Sequence, residues 1–137
     1  VGAFGVGIGQ RCVEEAAKYA KQRKQFGRRL IDFEMVQAML ADMAIKTEAA
    51  RVLVNNCMRQ MDAGEMVRKD GAIVKTFVTD AMQEVVSNAV QVLGGYGYSE
   101  EYPVEKLMRD AKIFQIFEGS NQIQRMTIAK ELDREYR

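Results

Sequence analysis

Histidine is absent from the 137-residue chain. Its absence excludes the Ser-His-Asp and Cys-His nucleophile systems and any histidine-ligated metal site. Acid–base chemistry, if the chain performs any, therefore falls to a carboxylate. Cysteine is scarce: Cys12 and Cys57 are isolated on segments with helical patterning and lack metal-ligand spacing, so they read as small core residues in a reducing compartment. No apolar run is long enough to cross a bilayer, and no charged-then-apolar leader opens the chain, so it reads as soluble. An excess of one charge is missing as well, since 20 Lys and Arg face 19 Asp and Glu for a net charge of +1. With no basic stripe interleaved with aromatics, the composition argues against a nucleic-acid partner. Proline occurs once, and most glycines fall in the first nine residues, at Gly94 to Gly97 and at Gly119. That distribution predicts long uninterrupted helices with sharp stops. No segment alternates strictly enough to predict a strand.

What the chain does contain is helical periodicity. An amphipathic helix is expected from about Gly7 to Gln25, with Ile8, Cys12, Ala16 and Ala20 at four-residue steps. A second runs from about Phe33 to Met61, with Val36, Leu40, Met43, Ala50, Val54, Cys57 and Met61 on one side, Asp32 as N-cap and Asp62-Ala63-Gly64 as the stop. A third spans about Met66 to Leu93, with a stripe of Ile73, Phe77, Ala81, Val85, Ala89 and Val92 and a polar face of Lys69, Asp70, Thr79 and Glu84. Pro103 opens a short helix between Tyr98 and Phe117, and a last helix starts near Ser120. The expected fold is all-α, an antiparallel four-helix bundle forming a single domain over residues 1–137. A domain of this size buries about two-thirds of its unfolded surface, and nine methionines supply adaptable packing. The opening Val1-Gly2-Ala3-Phe4-Gly5-Val6-Gly7-Ile8-Gly9 is not a dinucleotide fingerprint, because no strand precedes it and no second βαβ half follows. It reads as a helix start with small residues for close packing. The pattern begins abruptly and without an initiator methionine, as expected of a domain of a longer chain.

Four segments carry chemical content. In Arg23-Lys24-Gln25-Phe26-Gly27, the basic residues complement a helix C-terminus, and an arginine beside an aromatic equally suits a phosphate and a flat heterocycle. In Gln91-Val92-Leu93-Gly94-Gly95-Tyr96-Gly97-Tyr98, glycines end a helix and expose backbone N–H groups able to cradle an anion, a weak signal by itself. The run from Glu101 through Lys112 has the charges of a solvated helix face. In Ile116-Phe117-Glu118-Gly119-Ser120-Asn121-Gln122-Ile123-Gln124-Arg125, a carboxylate lies between apolar residues and a glycine turn. Apolar surroundings would desolvate Glu118 and make it a stronger base. Gly119 would admit a ligand closely, and Ser120 would cap the next helix. On spacing alone, a helix start preceded by a surface glutamate is the preferred reading.

The order and spacing of all four segments resemble the acyl-CoA dehydrogenases, over essentially the whole chain and in the C-terminal helical domain of those flavoenzymes. Arg23 to Gly27, Ala41-Asp42-Met43-Ala44, Gln91 to Gly97, Pro103 to Asp110, Phe117 to Ser120 and Gln122 to Arg125 carry the likeness. The stretch from Glu101 through Arg125 looks most like the medium-chain and short-chain branches.

The resemblance implies FAD-dependent α,β-dehydrogenation of a short- or medium-chain acyl-CoA. Glu118 matches the family's base, which removes the α-proton while hydride leaves the β-carbon for the flavin. Gly119 matches the residue whose backbone lies beside the thioester, and Ser120 and Gln122 match positions on the flavin's adenosine side. Arg23, Gln25 and Phe26, with Gln91, Val92, Leu93, Gly94 and Gly95, match two groups that reach the flavin of a neighbouring subunit. A homo-oligomer, dimer or tetramer, with flavin at the subunit interface is implied. So are an electron-transferring flavoprotein as electron acceptor and a location in bacterial cytoplasm or mitochondrial matrix. No metal is implied. The family's N-terminal helical and middle β domains, which hold the flavin ring and much of the substrate pocket, lie outside this sequence, so the isolated domain is expected to be inactive. Glu34, preceded by Phe33, stands where members commonly carry glutamine near the flavin, and is not counted among the cofactor residues. Two other readings share the sequence: an acyl-CoA oxidase that passes electrons to oxygen, and a helical interaction module without chemistry. Branches whose base lies elsewhere lack glutamate at this position, which Glu118 argues against.

Overall fold

The computed structural model describes residues 1–137. Its elements are α1 (Gly2–Gln22), β1 (Lys24–Gln25), β2 (Arg28–Arg29), α2 (Glu34–Asp62), α3 (Arg68–Leu93), α4 (Val104–Ile113) and α5 (Asn121–Glu135), with short 3₁₀ turns at Leu30–Asp32 and Gly94–Tyr98. Helix α2 alone is about 43 Å long at 1.5 Å per residue. Short connections make α1, α2 and α3 successive antiparallel neighbours, and α5 packs back onto α3. The expected bundle is present, with α4 as an additional short helix against α3 and α1.

Helix α3 is central and touches each of the other helices. That position explains where a single-stripe reading goes astray. Val74, Val78, Met82, Val85, Val86, Ala89, Val92 and Leu93 are all buried, so α3 is covered around most of its circumference. Thr79, expected on a polar face, is 1% exposed, whereas Phe77, expected in the core stripe, is 42% exposed. On α2 the core residues are Met43, Ala50, Val54 and Cys57, while Met61, in the last turn of the helix, is exposed. Cys12 and Cys57 are free and buried as small core residues. Burial, with the nearby Glu15 charge, pushes the Cys12 thiol up to about 12, which leaves it unreactive.

The glycine-rich opening brings α1 close to its neighbours. A Cβ built on Gly5 would lie 2.5 Å from Val78 Cγ1, and one on Gly9 would lie 2.5 Å from Met82 Sδ and 2.8 Å from Thr47 Oγ1. Nothing lies within 4 Å of the equivalent point at Gly7. Gly5→Ala should therefore destabilise the chain by about 1–2 kcal/mol, because overpacking against a β-branched side chain outweighs the ~1 kcal/mol gain in helix propensity. Gly7→Ala should stabilise it by up to ~1 kcal/mol. Urea midpoints of the two variants should move in opposite directions, and a shift of both in the same direction would contradict this packing.

The sequence reading did not anticipate the hairpin after α1, a helix which that reading extended to Gln25. Lys24 pairs with Arg29 and Gln25 with Arg28, leaving Phe26 and Gly27 as a two-residue loop. Both have positive φ, 52° and 76°, as a type I′ turn requires. Arg28 lies over the Phe33 ring at 4.4 Å and donates to the Asp32 carbonyl at 2.6 Å. Asp32 is not the N-cap of α2: its carboxylate pairs with Arg29 at 2.7 Å, and Phe33 occupies the cap position without a side-chain bond.

Candidate active site

Glu118 lies on the turn between α4 and α5. That turn is closed by Ile116 N and Phe117 N donating to the Ile113 carbonyl, at 2.9 and 3.0 Å, and by Asn121 N donating to the Gln115 carbonyl at 3.0 Å. The Phe117 ring packs on Phe114 (5.2 Å between centroids), which stacks on Phe4 of α1 at 6.0 Å. Glu118 has φ 55° and Gly119 φ 80°. A left-handed glutamate costs roughly 1–2 kcal/mol and persists only where the surroundings enforce it. Here the Gln124 amide donates to both the Glu118 and Gly119 carbonyls, at 3.1 and 3.3 Å. Ser120 caps α5 as expected, accepting from Ile123 N at 3.5 Å.

The carboxylate itself is exposed, contrary to the desolvation expected from its neighbours. Ile116 and Phe117 are 55% and 39% exposed, so the apolar residues of this segment face outward with the glutamate instead of enclosing it. Nothing in this chain encloses the Glu118 carboxylate.

Beneath the turn is a polar cluster that sequence reasoning missed. Asp80 of α3 accepts from Gln115 Nε2 at 2.7 Å, Asn121 Nδ2 at 2.7 Å and Arg125 at 2.5 Å. Asn121, 3% exposed, also donates to Thr79 Oγ1 at 2.8 Å and accepts from Lys75 Nζ at 2.6 Å. The available signal was Lys75 and Asp80 inside the most apolar helix of the chain. Burial alone would raise the Asp80 carboxyl, but hydrogen bonds from Arg125, Gln115 and Asn121 outweigh it and hold it below the usual carboxylate range. Burial pushes the Lys75 ammonium down, against the opposing pull of Asp80. A carboxyl depressed in the folded state contributes stability above its unfolded value of about 3.9, and loses it as pH falls through the lower folded value. Asp80→Asn should therefore be less stable than the parent at neutral pH, with the gap closing as pH drops below about 4. Urea unfolding across pH checks this, and a gap unchanged into acid would contradict it.

Elsewhere in the fold, the hairpin and the end of α3 meet. Arg23, Gln25, Leu30, Val92, Leu93, Gly94, Gly95 and Tyr96 share an open cleft of about 590 Å³. Arg23 sits over the Tyr96 ring at 5.5 Å, and Tyr96 and Tyr102 pack edge-on at 5.8 Å. The Val92 and Leu93 side chains are core, 4% and 3% exposed, so only their backbone can meet a ligand. Gly94 has φ 61° and, like Gly95, has nothing within 4 Å of where a side chain would begin. Gln91 is exposed at the end of α3. Phe26, at the hairpin tip, is 92% exposed.

The structure thus gathers Arg23 and Gln25 with the Val92–Gly95 segment, and it places Ser120 and Gln122 apart from them, in a second cleft with Asp80, Lys112 and Gln115. Glu34, in the first turn of α2, is exposed where negative charge suits the helix N-terminus. No group of three or more His, Cys, Asp or Glu side chains comes together to hold a metal. No helix is long and apolar enough to cross a membrane. Helix α2 leaves Met35, Ile45, Val52 and Met58 more than half exposed.

These features define an all-α bundle domain whose chemistry-bearing residues stand at exposed turns instead of in a closed pocket. The chain belongs to the acyl-CoA dehydrogenase family: the family model described as acyl-CoA dehydrogenase, C-terminal domain, matches residues 1–132. It is 43% identical over 129 residues to the caffeyl-CoA reductase-Etf complex subunit CarC of Acetobacterium woodii, covering 94% of this chain and 34% of that protein. It is 43% identical over 135 residues to cyclohexane-1-carbonyl-CoA dehydrogenase of Geobacter metallireducens, covering 98% and 36%. Among solved structures, butyryl-CoA dehydrogenase from Megasphaera elsdenii superposes with a TM-score of 0.95 at 44% identity, covering 97% of this chain and 35% of that one. The chain spans about a third of the length of the curated relatives it matches. The family is flavin-dependent.

Proposed function

We propose that the full-length protein is an FAD-dependent acyl-CoA dehydrogenase for short- or medium-chain acyl thioesters, and that this domain supplies Glu118 as the base. One observation carries the reading: Glu118, in the segment singled out for its carboxylate, is held at a positive φ on a turn braced by Gln124. Strain of this kind is retained where a site needs a side chain aimed in one direction. Glu118 is presented outward on a braced turn, available to a substrate seated against the rest of the protein. Its carboxylate removes the α-proton of the thioester, and Gly119 leaves room for the thioester beside its backbone.

The residues present fit the cofactor. Arg23 offers a guanidinium, Gln25 an amide, and Gly94 and Gly95 an open backbone on one cleft, a donor set suited to the pyrophosphate and polar edges of FAD. Bound FAD supplies the hydride acceptor for the β-carbon. Ser120 and Gln122 lie apart from that cleft, which supports two different flavins being met by one chain, its own and a neighbour's. The exposed apolar residues of α2 and the exposed Phe26 suit burial by a second copy or by the remainder of the polypeptide. The electron acceptor is an electron-transferring flavoprotein, consistent with the similarity to a subunit of a reductase-Etf complex.

The test is the anaerobic flavin spectrum of the full-length polypeptide with butyryl-CoA or octanoyl-CoA. Bleaching of the flavin band is expected, with slow reoxidation when air is readmitted. Rapid reoxidation with peroxide formation would make the protein an oxidase. A protein that binds no flavin would overturn the reading in favour of an interaction module.

A further inference from the structure

The polar cluster under the Glu118 turn is the feature the proposed chemistry leaves unused. We propose that Asp80, acting through Gln115 and Asn121, is the positioning centre that holds the Glu118 turn in its reactive geometry, an inference resting on Glu118 being the base. Gln115 and Asn121 form the neck of the turn, joined by the 3.0 Å bond from Asn121 N to the Gln115 carbonyl. Residues 116–120 hang from that neck. Asp80 Oδ1 accepts from both neck side chains at 2.7 Å, and Oδ2 accepts from Arg125, one helical turn further along α5. A single carboxylate therefore ties both ends of the turn to α3, the central helix of the bundle.

Asn121 is fully committed. Its carbonyl oxygen accepts from Lys75, and its amide donates to Thr79 and Asp80. Thr79 in turn donates to the Lys75 carbonyl at 2.8 Å, so Thr79 Oγ1 is oriented to accept from Asn121. Such a network fixes the rotation of the Asn121 side chain and the start of α5 together. A buried polar network gives up solvation that apolar packing would not, so contact alone does not account for it. What it adds is direction: the turn cannot slide along α3 without breaking several bonds at once. Gln124 then locks the crest by holding the Glu118 and Gly119 carbonyls, and the left-handed conformation of Glu118 follows from anchors on both sides. Misplacement of a reacting group by about 1 Å costs on the order of a hundredfold in rate, which sets the scale of the expected effect.

The experiment uses the full-length holoenzyme with Asp80→Asn, Asn121→Ala and Gln115→Met, and Glu118→Gln in parallel. Stopped-flow flavin reduction with butyryl-CoA gives a limiting rate and a substrate Kd, and substrate deuterated at the α-carbon gives an isotope effect on proton removal. In the positioning variants the limiting rate per flavin-loaded enzyme is expected to fall roughly ten- to a hundredfold while the substrate Kd stays within about threefold. The α-deuterium isotope effect should rise as proton removal becomes more limiting. A limiting rate within about twofold of the parent, or a loss that only tracks lost folded holoenzyme, would overturn the proposal. If Asp80→Asn does not fold, Gln115→Met decides by the same criteria, since it leaves Arg125 and Asn121 on Asp80. Failure of all three to fold would assign the cluster to stability alone. If Glu118→Gln still reduces flavin, the base assignment fails and this inference with it. If Glu118→Gln is inactive and the other three are silent, only the positioning role is lost.

Discussion

Glu118→Gln in the full-length polypeptide is expected to slow flavin reduction by acyl-CoA by on the order of 10³–10⁴-fold, the upper range for loss of a positioned general base. An α-proton of a thioester is weakly acidic, and this domain has no histidine to replace the carboxylate. Flavin content and acyl-CoA affinity should change little, because the substitution preserves shape and the turn is held by groups other than the Glu118 side chain. The Phe117 ring packs on Phe114, and the bonds from Gln124 go to backbone carbonyls. Folding should be unaffected for the same reason, as the carboxylate is exposed. Stopped-flow absorbance with flavin quantitation separates these terms. Near-parental reduction would remove Glu118 from the mechanism.

Arg23→Ala is expected to weaken flavin retention by the assembled enzyme about ten- to a hundredfold, the 1.5–3 kcal/mol associated with a hydrogen bond from a charged donor. In the chain itself, Arg23 makes a contact with the Tyr96 ring, which at an exposed site contributes only ~0.5–1 kcal/mol. The two roles therefore separate by magnitude. If Arg23 serves only the end of α1, the variant should lose a little stability and no flavin. If it faces the cofactor, flavin dissociation should dominate, and the apoprotein should melt close to the parent. Equilibrium dialysis of flavin beside a thermal melt distinguishes them. Unchanged flavin affinity would withdraw the cleft as a cofactor contact.

Most of the fold was legible because it is written in local terms. The glycine stop after Asp62 and the Ser120 cap appear where the sequence places them, Gly64 taking the left-handed conformation at φ 77°. Gly5 and Gly9 of α1 read correctly as close-packing positions, because a Cβ has no room there, whereas Gly7 faces open space. The misreadings concern interactions that periodicity does not encode. The hairpin at Phe26 and Gly27 went unseen because Phe-Gly is a poor I′ signal beside Asn-Gly, and its strands are only two residues each. Asp32 looked like a helix cap because a cap and a partner for Arg29 have the same local sequence. Thr79 looked like a solvent-facing residue of α3, since nothing local reveals that α5 returns to cover it. For the candidate site, the segments were legible and their geometry was not. That Arg23 and Gln25 would share a cleft with Gly94 and Gly95 follows from how α1 and α3 pack. The exposure of Glu118 shows the limit of reading desolvation from neighbours in sequence: flanking apolar residues do not bury a carboxylate when the turn points all of them outward.

The measurement that tests the central claim most directly is exchange of the acyl-CoA α-protons with solvent deuterium, catalysed anaerobically by the full-length protein and followed by NMR or mass spectrometry. It reads proton removal apart from hydride transfer and from any electron acceptor. The account predicts exchange confined to the α-carbon and lost in Glu118→Gln by on the order of 10³-fold. Exchange that persists undiminished in that variant would contradict the account and place the base on another residue.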